Sequence, residues 1–565
     1  MRNRFVNRKL EEALLAKGTN PLLARVYASR EIESVSDTRL ALEDLLRPDQ
    51  LADIDKAANL LFIAISKGSK LLIVADYDCD GASACAVAMR GLGMMQAKVD
   101  YLVPNRSKHG YGLTPDIVAL ALNHPRLGKP DLLITVDNGI ASHEGIEAAK
   151  REGLPVLVTD HHLAPDTLPA AEAIVNPNRP DCGFASKNLA GVGVIFYVLL
   201  ALRRLFREHA REHPAAQAPL QQLLDLVALG TVADLVKLDR NNRILVHAGL
   251  LRIRQGKAQA GINALISLAG RHASQLEVAD LGFAIAPRIN AAGRLKDISL
   301  GFECLMTDHP DAADRLAREL DQINRERQNM QADMQQEALD RLPEFSADGP
   351  GLVVFSETWH EGIVGLLASR LKDRFHRPVL ALAPSADAMY LRGSGRSIAG
   401  LHLRDALDWI SKRSPKTLTK FGGHAMAAGF TVPREHLADL ESLFFAAIRI
   451  MADPEQLQQI VWTDGSLEED WLREDWIQSL HDAIWGQGFP APLFQDSFEV
   501  SAQQIMAQKH LKLRLLSRHG QKLEGIAFGR CEPVESRIRA AYRLQINRWQ
   551  GRHSLQCVLE HIEPL

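Results

Sequence analysis

The sequence has no pair of cysteines at metal-ligand spacing. Its six Cys residues, at 79, 85, 182, 304, 531 and 557, are scattered without a CxxC. That pattern argues against a zinc ribbon and a disulfide framework, and predicts reduced thiols. No run of about 18 unbroken apolar residues is present, so no membrane span is expected. The opening stretch, Met1-Arg-Asn-Arg-Phe5, runs directly into charged, helix-like sequence without an apolar signal region. This predicts a protein that is not secreted and works in the cytoplasm. Internal repeats and low-complexity tracts are absent. Nor is there a general basic excess: 66 Lys and Arg stand against 69 Asp and Glu, a net charge of −3. The molecule as a whole is therefore not a basic coat for nucleic acid.

What is present is ordinary globular composition, 46% hydrophobic and 24% charged, over 565 residues, enough for about three or four domains. Residues 1–68 read as short helices punctuated by Pro21 and Pro48. Apolar runs of strand length follow at 71–75, 99–103, 132–136, 156–159 and 173–175, separated by helix-sized intervals. Such alternation predicts βαβ units and a parallel sheet covered on both faces. This domain is placed at 69–240. Residues 241–345 read as helical and end in a long polar helix over 312–342. Leu316, Leu320, Ile323, Met330 and Met334 form one stripe along it, and Pro343 closes it. Thirty helical residues span ~45 Å, suiting a rigid connector between two lobes. A second, smaller α/β pattern occupies 346–450. In 455–565, short runs alternate with period two and predict a small antiparallel barrel or sandwich. Charge switches inside this last segment. Eleven acidic residues stand against one basic over 451–500, then 11 basic against five acidic over 501–565, which suggests a basic binding face.

Three of the five predicted strands end in a carboxylate: Asp76, Asp137 and Asp160. In open parallel sheets, ligands bind beyond the carboxyl ends of the strands. The run Asp76-Tyr-Asp78-Cys-Asp80-Gly81 places three alternating acids directly after a buried strand. Like charges this close need a compensating cation. A calcium loop is excluded, because a strand precedes and no bidentate Glu follows. Thr159-Asp160-His161-His162 adds two imidazoles that point apart, one suited to a metal and the other to substrate, with Asp160 able to fix a tautomer. Gly230-Thr-Val-Ala-Asp234 adds another acid. Many carboxylates, one or two imidazoles and no thiolate favour Mn²⁺ or Mg²⁺ over Zn²⁺. So many acids exceed the need of one ion, and two bridged ions suit phosphoryl chemistry.

These three motifs, with Asp137-Asn138-Gly139 after the third strand as a fourth, resemble those of the DHH phosphoesterase superfamily. Arg288-Ile-Asn290-Ala-Ala-Gly-Arg294, Trp359-His360-Glu-Gly-Ile-Val-Gly365, Gly393-Ser-Gly-Arg396-Ser397 and Gly422-Gly423-His424-Ala-Met-Ala-Ala-Gly429 narrow the resemblance to the RecJ family. This family consists of bacterial exonucleases that act on single-stranded DNA from 5′ to 3′. The resemblance covers nearly the whole chain. It implies a DHH domain, a long connecting helix, a DHHA1 domain and an OB-fold barrel, with a narrow cleft between the first two lobes that admits one strand. It implies Asp78, Asp80, Asp137, His161 and Asp234 as metal ligands, with Asp76, Asp160 and His162 in catalytic roles, His162 against the scissile phosphate. Arg106, Arg288, Asn290, His360, Arg396, Ser397, Gly422, Gly423 and His424 match substrate-handling positions. The implied cofactor is Mn²⁺ or Mg²⁺, as two ions. The implied partners are single-stranded DNA, single-strand-binding protein and a recombination helicase, and the implied state is a monomer acting in recombination and mismatch repair. A short-oligonucleotide or cyclic-dinucleotide phosphodiesterase, a pyrophosphatase and a non-catalytic replication scaffold are the alternatives. The C-terminal basic segment argues against the first two, and the intact carboxylates against the third.

Overall fold

Burial on both faces makes the central strands of the first sheet continuous apolar runs. A computed structural model describes residues 1–104, 112–340, 349–549 and 552–565, apart from the side chains of residues 548, 549, 552 and 553. After a short β1 (Arg2–Asn3), the sheet comprises β2 (Lys70–Ala75), β3 (Lys98–Leu102), β4 (Leu132–Val136), β5 (Val156–Thr159) and β6 (Ala173–Val175). All pairs are parallel, in the order β3-β2-β4-β5-β6. One face carries Leu72, Val74, Leu133, Val156 and Val158 into a core with Ile117, Ile146 and Ala149 of the helices Pro115–Leu122 and His143–Arg151. The chain leaves β2 for β3 on one side and returns to β4 on the other. The crevice at that switch point is where such sheets bind ligands.

Register brings the strand ends level. Ala75 pairs with Val136, Val136 with Thr159, and Thr159 with Val175. The next residues, Asp76, Asp137 and Asp160, therefore stand side by side. Their backbone amides continue the ladder onto Val136, Thr159 and Val175 carbonyls.

The chain divides into two compact units, 1–293 with 297–321 and 461–565, and 294–296 with 322–460. In the first, β12 (Trp462–Thr463) pairs in parallel with β1. Strands β13 (Phe494–Met506), β14 (His510–Ser517), β15 (Lys522–Phe528), β16 (Arg537–Trp549) and β17 (Arg552–Pro564) close into a barrel in the order β13-β14-β15-β17-β16. Its core includes Leu22 and Val26 from the N-terminal segment, packed with Phe494, Phe498, Leu513 and Tyr542. Arg30 grips Asp464 through two nitrogens at 2.6 and 3.1 Å, both side chains buried. Leu22 and Val26 of the helical 1–68 segment thus sit in the barrel's core. Tyr542, whose ring alone would suit base stacking, is 2% exposed and donates its hydroxyl to Asp496 at 2.8 Å. Of the basic residues on the barrel strands, Lys512 pairs with Glu524 and Arg543 with Glu560, while Arg514 is exposed. The side chains of Arg548 and Trp549 lie outside the description.

The second unit is a five-stranded sheet, β10-β11-β9-β8-β7, built from β7 (Leu352–Phe355), β8 (Val379–Pro384), β9 (Tyr390–Arg396), β10 (Lys420–Gly423) and β11 (Ala427–Pro433). Only β7 and β8 run parallel. The helix Pro310–Asp340 has 31 residues, ~46 Å at 1.5 Å per residue. Its Leu316 and Leu320 lie in the first unit, whereas Met334 and Ala338 join the core of the second. Pro343, expected to end it, lies outside the described residues. No described helix is long and apolar enough to cross a membrane.

Candidate active site

The loop after β2 is shaped by a glycine. A Cβ on Gly81 would lie 2.5 Å from the Asp76 carbonyl oxygen, so no side chain fits. Asp78 caps the helix Cys79–Met94, its Oδ1 accepting from the Gly81 amide at 2.9 Å. Asp80 points inward, 1% exposed. Its two oxygens accept from the Gly191 and Val192 amides at 2.6 and 3.1 Å. Those amides open the helix Gly191–His209, whose N-terminal donors favour negative charge. Asp137 adopts φ 62° and is 2% exposed. A Cβ on Gly191 would meet its carboxylate at 2.5 Å.

Beyond β5, Asp160 orients both histidines. Its Oδ1 accepts from the His161 and His162 amides at 2.7 and 3.1 Å and lies 2.7 Å from His162 Nδ1. Its Oδ2 accepts from the Ile140 amide at 2.9 Å. The two rings diverge, 54° between planes. His161 Nε2 lies 3.1 Å from Asp137 Oδ1 and 3.5 Å from Asp234 Oδ2. Asp234 follows the helix Leu224–Ala233, whose Gly230 leaves room for Asp80: a Cβ there would be 2.6 Å from Asp80 Oδ1.

Three groups of ligand atoms converge within 4.8 Å: Asp76, Asp78 and Asp137; Asp80, His161 and Asp234; and Asp137, His161 and His162. Asp137 belongs to two of them. Asp160 belongs to none, which fits an orienting partner of His162. All the sequence-predicted metal residues are therefore brought together.

Burial, then mutual repulsion, pushes the carboxyls of Asp76, Asp137 and Asp234 well above their ordinary range, and Asp80 to about 7. Burial and the neighbouring His162 push His161 down to about 4, leaving a neutral ring able to donate a lone pair. Burial works against charge on His162, but the hydrogen bond to Asp160 and the surrounding carboxylates outweigh it and raise it to about 9. Burial also opposes charge on Asp160, yet the hydrogen bond from His162 and the charges of both histidines hold its carboxyl below the usual range. Asp76 Oδ1, Asp137 Oδ1 and His161 Nε2 are buried without hydrogen-bond partners. Orphaned ligand atoms among repelling acids fit divalent cations, and the oxygen-rich donor set fits Mn²⁺ or Mg²⁺. Cys79 is fully buried, its thiol pushed up by burial, and joins none of the three groups.

The substrate candidates divide by unit. In the first, Asn290 Oδ1 accepts from the Cys79 amide at 2.8 Å, so it braces the metal loop. Arg288 is engaged with Asp321 at 2.8–2.9 Å and with the Ala284 carbonyl. Arg106 lies outside the described residues. In the second unit, Arg396 donates to Ser394 Oγ at 3.0 Å and to the Gly395 carbonyl at 2.8 Å. It pairs across the ladder with Ala427, beside the Gly422-Gly423-His424 turn. Gly422 and His424 are exposed. At Gly423, φ 145°, a Cβ would lie 2.4 Å from the Ala427 oxygen. His360 is exposed and accepts from the Gly362 amide at 3.0 Å. Ser397 is 1% exposed, its hydroxyl donated to the Leu401 carbonyl at 2.8 Å. It therefore shapes the turn rather than facing outward.

Sequence reasoning missed three supports. Gly191 and Val192 supply the amides on Asp80, and the apolar helix start Ala190-Gly-Val-Gly193 was the available signal. Asn138 donates to the Val74 and Val136 carbonyls at 3.2 and 2.9 Å, tying the ends of β2 and β4. Asn176 and Asn178 donate to the His162 and His161 carbonyls.

Residues 70–231 match the DHH family, N-terminal domain; 348–450 match the DHHA1 domain; and 463–561 match the RecJ OB domain. The single-stranded-DNA-specific exonuclease RecJ of Escherichia coli is 45% identical over 571 residues, covering 98% of each chain. That of Bacillus subtilis is 34% identical, covering 96% of this chain and 67% of its own. The crystal structure of RecJ in complex with Mn²⁺ from Thermus thermophilus superposes with a TM-score of 0.82 at 27% identity, covering 100% of this chain and 80% of that one. A second structure of the same protein holds Mg²⁺, with a TM-score of 0.77 at 26% identity, covering 100% of this chain and 78% of that one. With its carboxylates in register, its DHH, DHHA1 and RecJ OB domains and nearly half its residues shared with such relatives, the chain belongs to the RecJ family of the DHH superfamily.

Proposed function

We propose that the protein is a metal-dependent exonuclease that degrades single-stranded DNA from the 5′ end and releases nucleoside 5′-monophosphates. The observation that carries this reading is the row Asp76, Asp137, Asp160 at one sheet edge, completed by Asp78, Asp80, His161 and Asp234. Asp78, Asp80, Asp137, His161 and Asp234 would hold two Mn²⁺ or Mg²⁺ ions, with Asp76 beside them. Bound there, the ions supply Lewis acidity toward water and charge for the phosphate oxygens. The chain's own residues do the rest. Asp160 fixes the His162 ring, which carries its proton through neutral pH and, one-third exposed, suits contact with a phosphate oxygen. Neutral His161 keeps its lone pair for an ion. Arg396 suits a phosphate near the 5′ end, because a guanidinium fork matches phosphate oxygens. The barrel segment 501–565, with 11 basic residues against five acidic, suits binding of single-stranded DNA. On the family resemblance, the reading extends to recombination and mismatch repair in the cytoplasm, as a monomer beside single-strand-binding protein and a recombination helicase.

Digestion of strands labelled at either end, single or duplex, with Mn²⁺ or Mg²⁺ tests it. Release of mononucleotides from the 5′ end of single strands is expected. Preferential turnover of cyclic dinucleotides, or release from the 3′ end, would refute it.

A further inference from the structure

In the second unit, arginines collect around one turn of chain. Gly362 precedes the helix Val364–Phe375, and Gly365 lies in its first turn. Arg294 Nη1 donates to the Gly362 carbonyl at 3.4 Å. A Cβ on Gly365 would lie 3.1 Å from Arg396 Nη2, so that guanidinium rests against the bare turn. Arg370 stands exposed on the same helix. It is five residues past Gly365, ~7.5 Å along the axis, and helical side chains lean back toward the N-terminus. Arg327, half-buried on the helix Pro310–Asp340, donates to Asn324 Oδ1 at 2.6 Å and Gln331 Oε1 at 2.8 Å, both neutral and buried. Among the described residues, Arg327, Arg370 and Arg396 make no ion pair. Burial, with the charges of Arg294 and Arg370, holds Arg327 below the usual guanidinium range; burial and Arg294 do the same to Arg396.

Gathered like charges are unfavourable until an anion arrives, and guanidinium forks select phosphate. The charge also extends along the helix rather than converging on the Arg396 position. We propose that Arg327 and Arg370 hold a second phosphate of the substrate strand, an internal phosphodiester, next to the one assigned to Arg396. The proposal rests on the exonuclease reading and adds a site to it.

The test is equilibrium binding of 5′-phosphoryl and 5′-hydroxyl oligothymidylates to the full chain in EDTA, across a salt series. R327Q and R370Q keep hydrogen-bonding ends but lose charge; R327K and R370K keep charge. The double Gln variant should lower the slope of log affinity against log salt by ~0.7, one single-strand phosphate contact, equally for both strand types. The double Lys variant should restore most of it. Melting curves matching the parent establish that both variants fold. An unchanged slope in the Gln variant overturns the proposal. So does a loss confined to 5′-phosphoryl strands, which would assign the pair to the terminal phosphate with Arg396. Should the parent bind strands but degrade none with any metal, the exonuclease reading fails separately, and the slope still decides the phosphate site.

Discussion

Removing divalent metal should make folding stability fall as pH rises, and restoring it should cancel most of that fall. Asp80 carries the clearest magnitude. It is 1% exposed, and burial with repulsion from Asp78 moves its carboxyl from 3.8 to about 7. A carboxyl raised on folding stabilises the protonated fold, and that contribution is lost as pH climbs through the folded value. Roughly three pH units correspond to about 4 kcal/mol, lost between about pH 4 and 7. Asp76, Asp137 and Asp234 act in the same direction. His162, raised to about 9, contributes stability that is full below 6.5 and lost toward 9. His161, lowered to about 4, acts oppositely, but its contribution is complete by 6.5. Above pH 6.5, therefore, the remaining contributions all point downward. Ligands must shed protons to bind metal, so the melting-temperature gain from Mn²⁺ should grow between pH 6.5 and 8, with proton release in calorimetry. A gain that is flat or shrinks over that window, in protein stripped with EDTA and reloaded, would refute the reasoning.

Asp137→Ala should abolish hydrolysis while DNA binding in EDTA persists, a loss well beyond the ~10–100-fold typical of an outer partner; single-turnover cleavage with titrated Mn²⁺ checks this. Asp160→Asn should cost about 10–100-fold and move the alkaline limb of the pH–rate profile from near 9 toward 6.5, because His162 loses the bond that keeps it charged. Arg30→Met should destabilise the barrel by about 3–5 kcal/mol, the cost of stranding one member of a buried ion pair, here Asp464. Denaturation followed at Trp485, which stacks on Phe489 at 5.3 Å beside Arg30, should show an earlier transition while short-oligonucleotide cleavage is retained.

Asp464 also governs how a C-terminal truncation must be read. Cutting at 455 would expose Leu22 and Val26 and strand Arg30, so lost DNA affinity would mix folding with binding. Removing 1–30 together with 455–565 avoids exposing that core.

Local order in the chain determined much of this protein. A buried strand followed by Asp is a short-range pattern, and βαβ alternation carries the sheet with it, so Asp76, Asp137, Asp160 and the histidines were legible one by one. Alternation with period two likewise announced a barrel. Tertiary structure alone decided how these pieces meet. Register across β2, β4, β5 and β6 levelled the three acids, and a one-residue slip would have turned them to opposite faces. The Gly191 and Val192 amides reach Asp80 across 111 and 112 residues, and Arg30 reaches Asp464 across 434. No periodicity encodes such pairings, because they depend on which buried polar group needs which partner once the core has closed. For the same reason Ser397 and Tyr542 looked available in sequence but are committed in space, to a carbonyl and to Asp496. A buried hydroxyl must find a partner, and only the fold determines which one it finds.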